Sequence, residues 1–549
     1  MPQDHSVQNA NAIVQRGEEL HRAGRFSEAE SHYRKALDIA PEHAGALYLL
    51  ANIAFADGRL PIASELVERL LNHNPNEARA WNLQGMIAFK QKKPERGLEC
   101  YRKAVALQPN DPVALYNLGI SLESQGDYAG ALESLSQAVK IHPRFFQAHY
   151  SIGKINRVQK RLDEAIASFK RAISIKPDLV SVYDDLAQVL FAQKKVDEVI
   201  ELLSGALAIN VANAAIHAWL GGAYAARMQL DAAIFHCHKA LSLDASCFAA
   251  HFTLGSALSG KGQLREAIAS YRSARAINSQ DQRLLEVLAA ALYSIGEVAD
   301  AIEVYRFWLT IEPKNPVAIH HLAACLGGVV PERADDSYVE STFDSFADTF
   351  DKVLGDLGYQ APQLLTEMLR RECGPAKKQF EILDAGCGTG LCGPLISEYA
   401  SRLVGVDLSA HMLEKAMQRG GYDDLIKAEL TEFLQSCNKS YDLILSADTF
   451  VYFGNLEVLL SAARLALRDG GHLFFSVESL MSEVPDAAGP DYRLNLHGRY
   501  SHREDYVRNA LTRAGFINIQ LKPVTLRNES GCPVHGVVVA SRAGSSGVG

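Results

Sequence analysis

A chain of 549 residues with a formal charge of -9 and 48% hydrophobic residues is too long for one core, since a domain usually takes about 100–200 residues. It also carries no general attraction for a phosphate backbone. No apolar run approaches the ~18 residues that span a bilayer, the start Met1-Pro-Gln-Asp-His5 lacks the parts of a secretory leader, and nine cysteines without a pairing pattern read as reduced thiols. A cytoplasmic protein of several domains is expected, with neither nucleic acid nor membrane as partner.

Residues 1 to 9 are polar and expected to fray. From Ala10 the sequence repeats: Pro41, Pro75, Pro109, Pro143 and Pro177 stand 34 residues apart, and Pro313 keeps their register after Val211, Ala245 and Ser279. That period belongs to tetratricopeptide helix pairs. Small residues recur eight places into each unit, as at Gly17, Gly85 and Gly153, with alanine or another small residue twelve further on, as at Ala29 and Ala165. Large side chains fall four beyond those, at Tyr33, Tyr101, Phe169, Tyr271 and Tyr305, so small faces large between stacked helices. Nine units from Ala10 to Asn315, with Pro316 to Leu326 as one further helix, make residues 10–327 an α-superhelix, a tetratricopeptide solenoid. Its concave face would carry Tyr48, Phe55, Phe89, Tyr116 and Tyr150, with Phe191, Phe252 and Tyr293 in the same two repeat positions. Such a face suits an extended protein or peptide segment; the competing reading is that the rings pack between repeats. His236, Cys237 and His238 do not make a metal site, because i and i+2 on a helix point apart.

Gly327-Gly-Val-Val-Pro-Glu-Arg333 reads as a break within a linker over 328–337, across which few contacts are expected. Beyond it Phe343, Phe346, Phe350, Leu354 and Leu357 recur every three or four residues, an amphipathic helix. A strand over Phe380–Leu383 then meets Asp384 and the glycines Gly386, Gly388 and Gly390, which let a ligand approach the main chain. A helix over Leu391–Tyr399 would aim its N-terminus there. The next strand, Leu403–Val406, ends in Asp407, an acid placed to accept ribose hydroxyls. Strict alternation of the glycines departs from the dinucleotide pattern G-x-G-x-x-G, and Asp384 would repel a diphosphate, so a nicotinamide oxidoreductase is disfavoured. Further strands are read over Leu425–Glu429, Tyr441–Ala447, Gly471–Val477 after an Asp469-Gly-Gly471 turn, and a closing hairpin of Phe516–Leu521 and Val534–Ala540. The tail over 542–549 is expected to be flexible.

The stretch Asp384-Ala-Gly-Cys-Gly-Thr-Gly390, followed by Asp407-Leu-Ser-Ala-His-Met412, closely resembles the first two motifs of the class I S-adenosylmethionine-dependent methyltransferases. The resemblance implies a Rossmann-like, seven-stranded α/β domain over 338–541 with S-adenosylmethionine as cofactor and no metal. It implies that Asp384 and the turn of Gly386, Cys387, Gly388 and Gly390 hold the methionine part and that Asp407 holds the ribose, with Leu408 and Met412 in the same site. Glu429 and Leu430 stand where an acidic-apolar pair meets adenine, and Ser446 ends the fourth strand beside the reactive methyl group. Tyr338 to Pro362 resembles the lid helices that precede the first strand in many of these enzymes. The whole arrangement resembles bacterial methyltransferases that carry tetratricopeptide repeats.

A hydroxyl or carboxylate acceptor would call for a base near the fourth strand. Candidates are Asp448, Tyr452 and, from the segment Tyr492 to Tyr506 where these enzymes carry substrate-recognition inserts, His497, Tyr500 and His502; a solvated loop is the competing reading of that segment. Two functions stay open: a methyltransferase whose array selects a protein partner or substrate, and a scaffold whose α/β domain only retains the cofactor. The fold does not supply the acceptor.

Overall fold

The computed structural model describes residues 2–209, 213–327, 330–480, 490–529 and 532–545. Val211 in the repeat register, Gly328 and Val329 in the break, and tail residues 546–549 lie outside the described residues. Two compact units are present, residues 1–263 and 264–549.

The first unit is a stack of helix pairs, from Pro2–Arg22 with Phe26–Ile39 to Phe248–Gly260. Its first helix begins at Pro2, so residues 2–9, expected to fray, are helical. Small-against-large packing holds the pairs together. A Cβ built on Gly17, Gly85 or Gly153 would stand 2.5 Å from the ring of Tyr33, Tyr101 or Phe169, far inside van der Waals contact. The period also appears in the backbone: residues 24, 58, 92, 126, 160, 194, 228, 262 and 296 all have φ between 58° and 83°. Glycine fills five of these and lysine or methionine the rest, which is why composition alone hides the turn. Of the aromatic positions, Tyr48, Phe55, Tyr116 and Tyr150 are half-buried and Phe89 is 42% exposed. Arg79 lies over the Tyr48 ring and Lys90 over Phe55, Tyr116 packs on Phe145 at 5.1 Å between centroids, and the Tyr150 hydroxyl donates to Asp185 at 2.6 Å. Cys237 is buried against Gly221 while His236 faces His217, so these two neighbours serve different sides of their helix.

The second unit opens with the helices Leu264–Ile277, Gln282–Ser294, Val298–Ile311 and Pro316–Leu326, then Asp336–Phe346, Phe350–Asp356 and Ala361–Cys373. Nine strands follow: β1 (Phe380–Ala385), β2 (Ala400–Asp407), β3 (Asp424–Lys427), β4 (Tyr441–Ser446), β5 (Leu467–Ser479), β6 (Tyr492–Leu494), β7 (Tyr500–His502), β8 (Phe516–Glu529) and β9 (Cys532–Ala543). The parallel order is β3-β2-β1-β4-β5, and β9 runs antiparallel to both β5 and β8. β6 and β7 pair as a small hairpin against the last residues of β5. Consecutive apolar residues serve opposite faces: Leu383, Val404, Ile444 and Phe475 lie in one core, and Ile382, Leu403, Leu443 and Phe474 in the other. Both faces of the parallel sheet are therefore covered.

Three expectations need correction. The helix after the glycine turn covers only Gly393–Ile396, because the chain enters β2 at Ala400, so a helix dipole adds little at the turn. Asp469-Gly-Gly471 is not a turn before a strand but an irregularity inside β5, with Gly470 at φ 80°. The break at 327 is not an uncrossed linker either. His320, on Pro316–Leu326, stacks on Tyr338 at 4.0 Å and approaches the carbonyl of Gly498 at 2.9 Å.

Candidate active site

The carboxyl ends of β1, β2 and β4 open on one cavity of about 310 Å³, the place where parallel α/β sheets bind ligands. One wall is main chain. Gly386 has φ 76°, and a Cβ there would fall 2.0 Å from Thr449 Oγ1; Gly388 has φ 54°, and its missing Cβ faces the cavity, 3.9 Å from the Phe350 ring. Asp407, at the end of β2, ties the turn down: its Oδ2 accepts from the Gly388 N–H at 2.8 Å and its Oδ1 from the Ser409 N–H at 2.9 Å. Burial pushes the Asp407 carboxyl up, and those N–H donors oppose the shift. Glu429 caps Leu430–Ser436 by accepting from the Glu432 N–H at 2.8 Å and receives Arg333 Nη1 at 3.1 Å. Leu430, Cys387 and Leu408 complete this wall.

The opposite wall is charged. Asp448, just past β4, has φ 53°, a left-handed conformation that is uncommon outside glycine and that concentrates at functional sites. Its N–H donates to Ser476 Oγ at 2.8 Å, the Ser476 hydroxyl donates to Asp448 Oδ1 at 2.6 Å, and Arg527 Nη1 donates to Oδ2 at 2.7 Å. Arg527, only 3% exposed in its side chain, also donates to Glu478 and, at 2.7 Å, to Glu529. Arg499 Nε donates to Glu478 at 2.7 Å, and its other end donates to Glu529. His497 Nε2 lies 3.3 Å from Glu478 Oε2. Burial and the Arg499 guanidinium lower the His497 pKa, while Glu478 acts against them. Burial raises the Tyr452 phenol.

The third side is a lid made of Asp336–Phe346 and Phe350–Asp356. Phe343, Phe346 and Phe350 meet edge to face, and Phe343 also meets Tyr452 at 5.5 Å. On its outer flank four lid acids pair with basic side chains around the β2 and β3 ends: Glu340 with Lys427 at 2.5 Å, Asp344 with His411 at 3.2 Å, Asp348 with Lys415 at 2.9 Å, and Asp351 with Arg419.

Models described as "Tetratricopeptide repeat" match residues 20–87 and 158–221, 116–179 and 252–316, and 78–111, and one described as "Methyltransferase domain" matches 383–475. The chain is a tetratricopeptide-repeat array followed by a methyltransferase domain. It is 31% identical over 146 residues to an 18S rRNA (guanine-N(7))-methyltransferase of Bos taurus, covering 26% of this chain and 48% of that protein. It is 31% identical over 126 residues to a malonyl-[acyl-carrier protein] O-methyltransferase of Hamiltonella defensa subsp. Acyrthosiphon pisum, covering 22% and 48%. The chain thus spans about half the length of these curated relatives. The crystal structure of MamA aligns at 25% identity over 29% of this chain and 94% of MamA, with a TM-score of 0.27, too low to carry an argument. Among the described residues no helix is long and apolar enough to cross a membrane.

Within the methyltransferase domain the cavity gathers Gly386, Cys387, Gly388, Asp407, Leu408, Glu429, Leu430, Asp448, Tyr452 and His497. Other candidates do not reach it. Asp384 lies beneath the turn, 1% exposed, accepting from the Tyr422 hydroxyl at 2.6 Å with its Oδ1 unpartnered; burial pushes its pKa to about 7. Gly390 packs against Tyr422 and Ala416, Met412 is core, and the buried Ser446 hydroxyl donates to the Ala385 carbonyl at 2.7 Å. Tyr500 and His502 are corrected as catalytic candidates. The Tyr500 hydroxyl donates to the Pro331 carbonyl at 2.8 Å, and His502 Nε2 faces the carbonyls of Phe453 and Gly454 at 2.8 and 3.1 Å. Both serve the hairpin rather than the cavity. Missed by the sequence reading were Arg333, Thr449, Arg499, Arg527 and Glu529, all on the cavity wall. For Arg527 a signal exists: a charge interrupting the apolar pattern near the carboxyl end of a strand that lies parallel to β5.

Proposed function

We propose that the methyltransferase domain transfers a methyl group from S-adenosylmethionine to an acceptor bound at the β4–β5 end of the cavity. One observation carries the reading: a single cavity has the glycine turn and Asp407 on one wall and Asp448, Tyr452 and His497 on the other. The residues present fit the cofactor. Gly388 turns main chain toward the space, and Asp407 and Glu429 offer acceptors for ribose hydroxyls and an adenine amine. Carboxylates in this number suit a sulfonium and an ammonium better than a diphosphate. When bound, S-adenosylmethionine supplies a methyl group already activated on sulfur.

The chain's own residues then bind, exclude water and manage a proton. Phe343, Phe346 and Phe350 cover the cavity and keep water out. Asp448 has both oxygens engaged by Ser476 and Arg527, so it braces the wall and is a poor base. His497, its pKa lowered by burial, has Nε2 backed by Glu478 and Nδ1 only loosely held, accepting from the Arg499 N–H at 3.4 Å, so it is the group suited to accept a proton once that long contact gives way; Tyr452 stays protonated and serves as a donor. The charged wall favours a polar acceptor atom, the class named in the relatives' oxygen and ring-nitrogen methylations.

Calorimetry tests the reading. The full chain should bind S-adenosylmethionine and its demethylated product at micromolar affinity or tighter and ignore NAD, and Asp407→Ala should weaken binding by at least tenfold, about 1.4 kcal/mol. No binding by the parent chain would sink the proposal. For the array we propose capture of a protein segment, supported by the exposed Phe89 ring and the partly open Tyr48, Phe55, Tyr116 and Tyr150. Alanine at Tyr116 and Tyr150 together should reduce partner capture and leave cofactor affinity alone; a large drop in melting temperature would instead assign those rings to packing.

A further inference from the structure

We propose that His320 and His321, on the last helix of the array, are positioning residues for the acceptor end of the cavity: they hold the turn from which His497 and Arg499 reach it.

The turn lies between β6 and β7 and closes on itself. Asn495 N–H donates to the Arg499 carbonyl at 2.8 Å and Gly498 N–H to the Asn495 carbonyl at 3.0 Å. Two three-residue strands give a turn little rigidity of their own. Two of its other carbonyls are taken from outside. His320 Nε2 meets Gly498 O at 2.9 Å and His321 Nδ1 meets Leu496 O at 3.1 Å. A carbonyl only accepts, so each ring must donate, and this sets His320 as the Nε2–H tautomer and His321 as the Nδ1–H tautomer. The rings are themselves held. His320, 3% exposed, stacks on Tyr338 at 4.0 Å, and His321 stacks on Tyr305 at 6.0 Å between centroids. The turn also presses back: Gly498 has φ 82°, and a Cβ there would stand 2.1 Å from the Tyr338 hydroxyl. From this clamped turn His497 and Arg499 both converge on Glu478. The two donors anchor the turn's main chain at Leu496 and Gly498, while the Tyr338 contact and the pairs with Glu478 and Glu529 hold the side chains, and together they set the angle at which His497 and Arg499 enter the cavity. The array therefore builds part of the site, beyond any recruiting role.

This inference rests on the β4–β5 end being the acceptor side, but its readout needs no turnover. The experiment compares two double variants of the full chain. His320→Phe with His321→Phe keeps flat rings for stacking and removes both donors; His320→Gln with His321→Asn keeps amide donors near the two nitrogen positions and removes the rings. Amide exchange over residues 492–502 and the His497 ring resonance, assigned by its loss in His497→Gln, are read in each. Positioning predicts that the phenylalanine pair speeds exchange at least tenfold and moves the His497 resonance, that the Gln/Asn pair stays near the parent, and that cofactor affinity changes less than twofold in both. The reverse order, equal loosening by both pairs, or no change in the phenylalanine pair would each overturn it. A pair that fails to fold is replaced by its single His320 substitution, read the same way. Failure of the parent chain to bind cofactor would sink the proposed function and leave the exchange result standing.

Discussion

The two walls of the cavity are built by opposite means. The glycine-turn wall is local: the turn, Asp407 and Glu429 follow one another within two strand-helix steps, and the turn is held by backbone N–H groups on a carboxylate. The charged wall is assembled from afar. Arg527 reaches back to Asp448 across 79 positions, and His320 reaches forward to Gly498 across 178. A wall made of main chain tolerates change in distant side chains, whereas a wall made of interlocked charges fails as a unit once any member is removed.

The largest effect should follow from cutting that lock. Arg527 pairs with Asp448, Glu478 and Glu529, and its side chain is 3% exposed. Replacing it with methionine strands buried carboxylates, a loss of about 3–5 kcal/mol. Arg527→Lys should recover little, because one ammonium cannot serve three carboxylates at once. Urea unfolding measures both. An Arg527→Met chain as stable as the parent would mean that the three acids are solvated, and the comparison would break.

The sign of the pH dependence should separate two buried groups next. His502 is buried with Nδ1 unpartnered, and its pKa is lowered to about 4 from an ordinary 6.5; His321 is lowered to about 4 as well. A depressed folded value means that the stabilisation is complete above 6.5 and is lost as pH falls toward 4, on the order of 3 kcal/mol for His502. Asp384 shifts the other way, raised from 3.8 to about 7, so its contribution is complete below 3.8 and is lost as pH rises through 7. The two windows overlap with opposite slopes, so the contributions offset each other between pH 4.5 and 6.5. His502→Gln should make the unfolding free energy rise less, or fall, as pH increases over that window, and Asp384→Asn should make it rise more steeply there. Slopes that move in the same direction in both variants would refute the assignment.

The same contrast explains what could be read beforehand. The array was legible because its signal repeats every 34 residues and each small position has a matching large one, as Gly153 has Phe169. The glycine-turn wall was legible because its residues are contiguous, although Asp384, Ser446 and Met412 belong beneath it; alternation along a strand sends neighbours to opposite sides, and motif spacing does not say which side faces the cavity. The charged wall was not legible. Its partners are distant in sequence, β6 and β7 are too short to show a period, and Gly470-Gly471 looks like a turn although it sits inside β5. His320-His321 carries no signal in the sequence, because the register that faces the pair with the 495–499 turn exists only once the sheet has formed.

The smallest effect expected is on the lid, where both means of construction meet. Its inner side is aromatic, but its outer side holds Glu340, Asp344, Asp348 and Asp351 against Lys427, His411, Lys415 and Arg419. These pairs are largely open to solvent, with Asp348 63% and Lys427 49% exposed, so each contributes little alone and salt screens them. The pairs around Arg527, at 3% exposure, are shielded from that screening. Raising salt from ~0.05 M to ~1 M should weaken cofactor affinity by about two- to fivefold, mostly through faster release, while the stability lost in Arg527→Met stays the same. Glu340→Gln combined with Asp348→Asn should flatten the salt dependence, since the carboxylates that salt would screen are then absent. Release rates from stopped-flow fluorescence decide it. An equally steep salt dependence in the double variant would remove the outer pairs from the account and leave Phe343, Phe346 and Phe350 to hold the lid by packing.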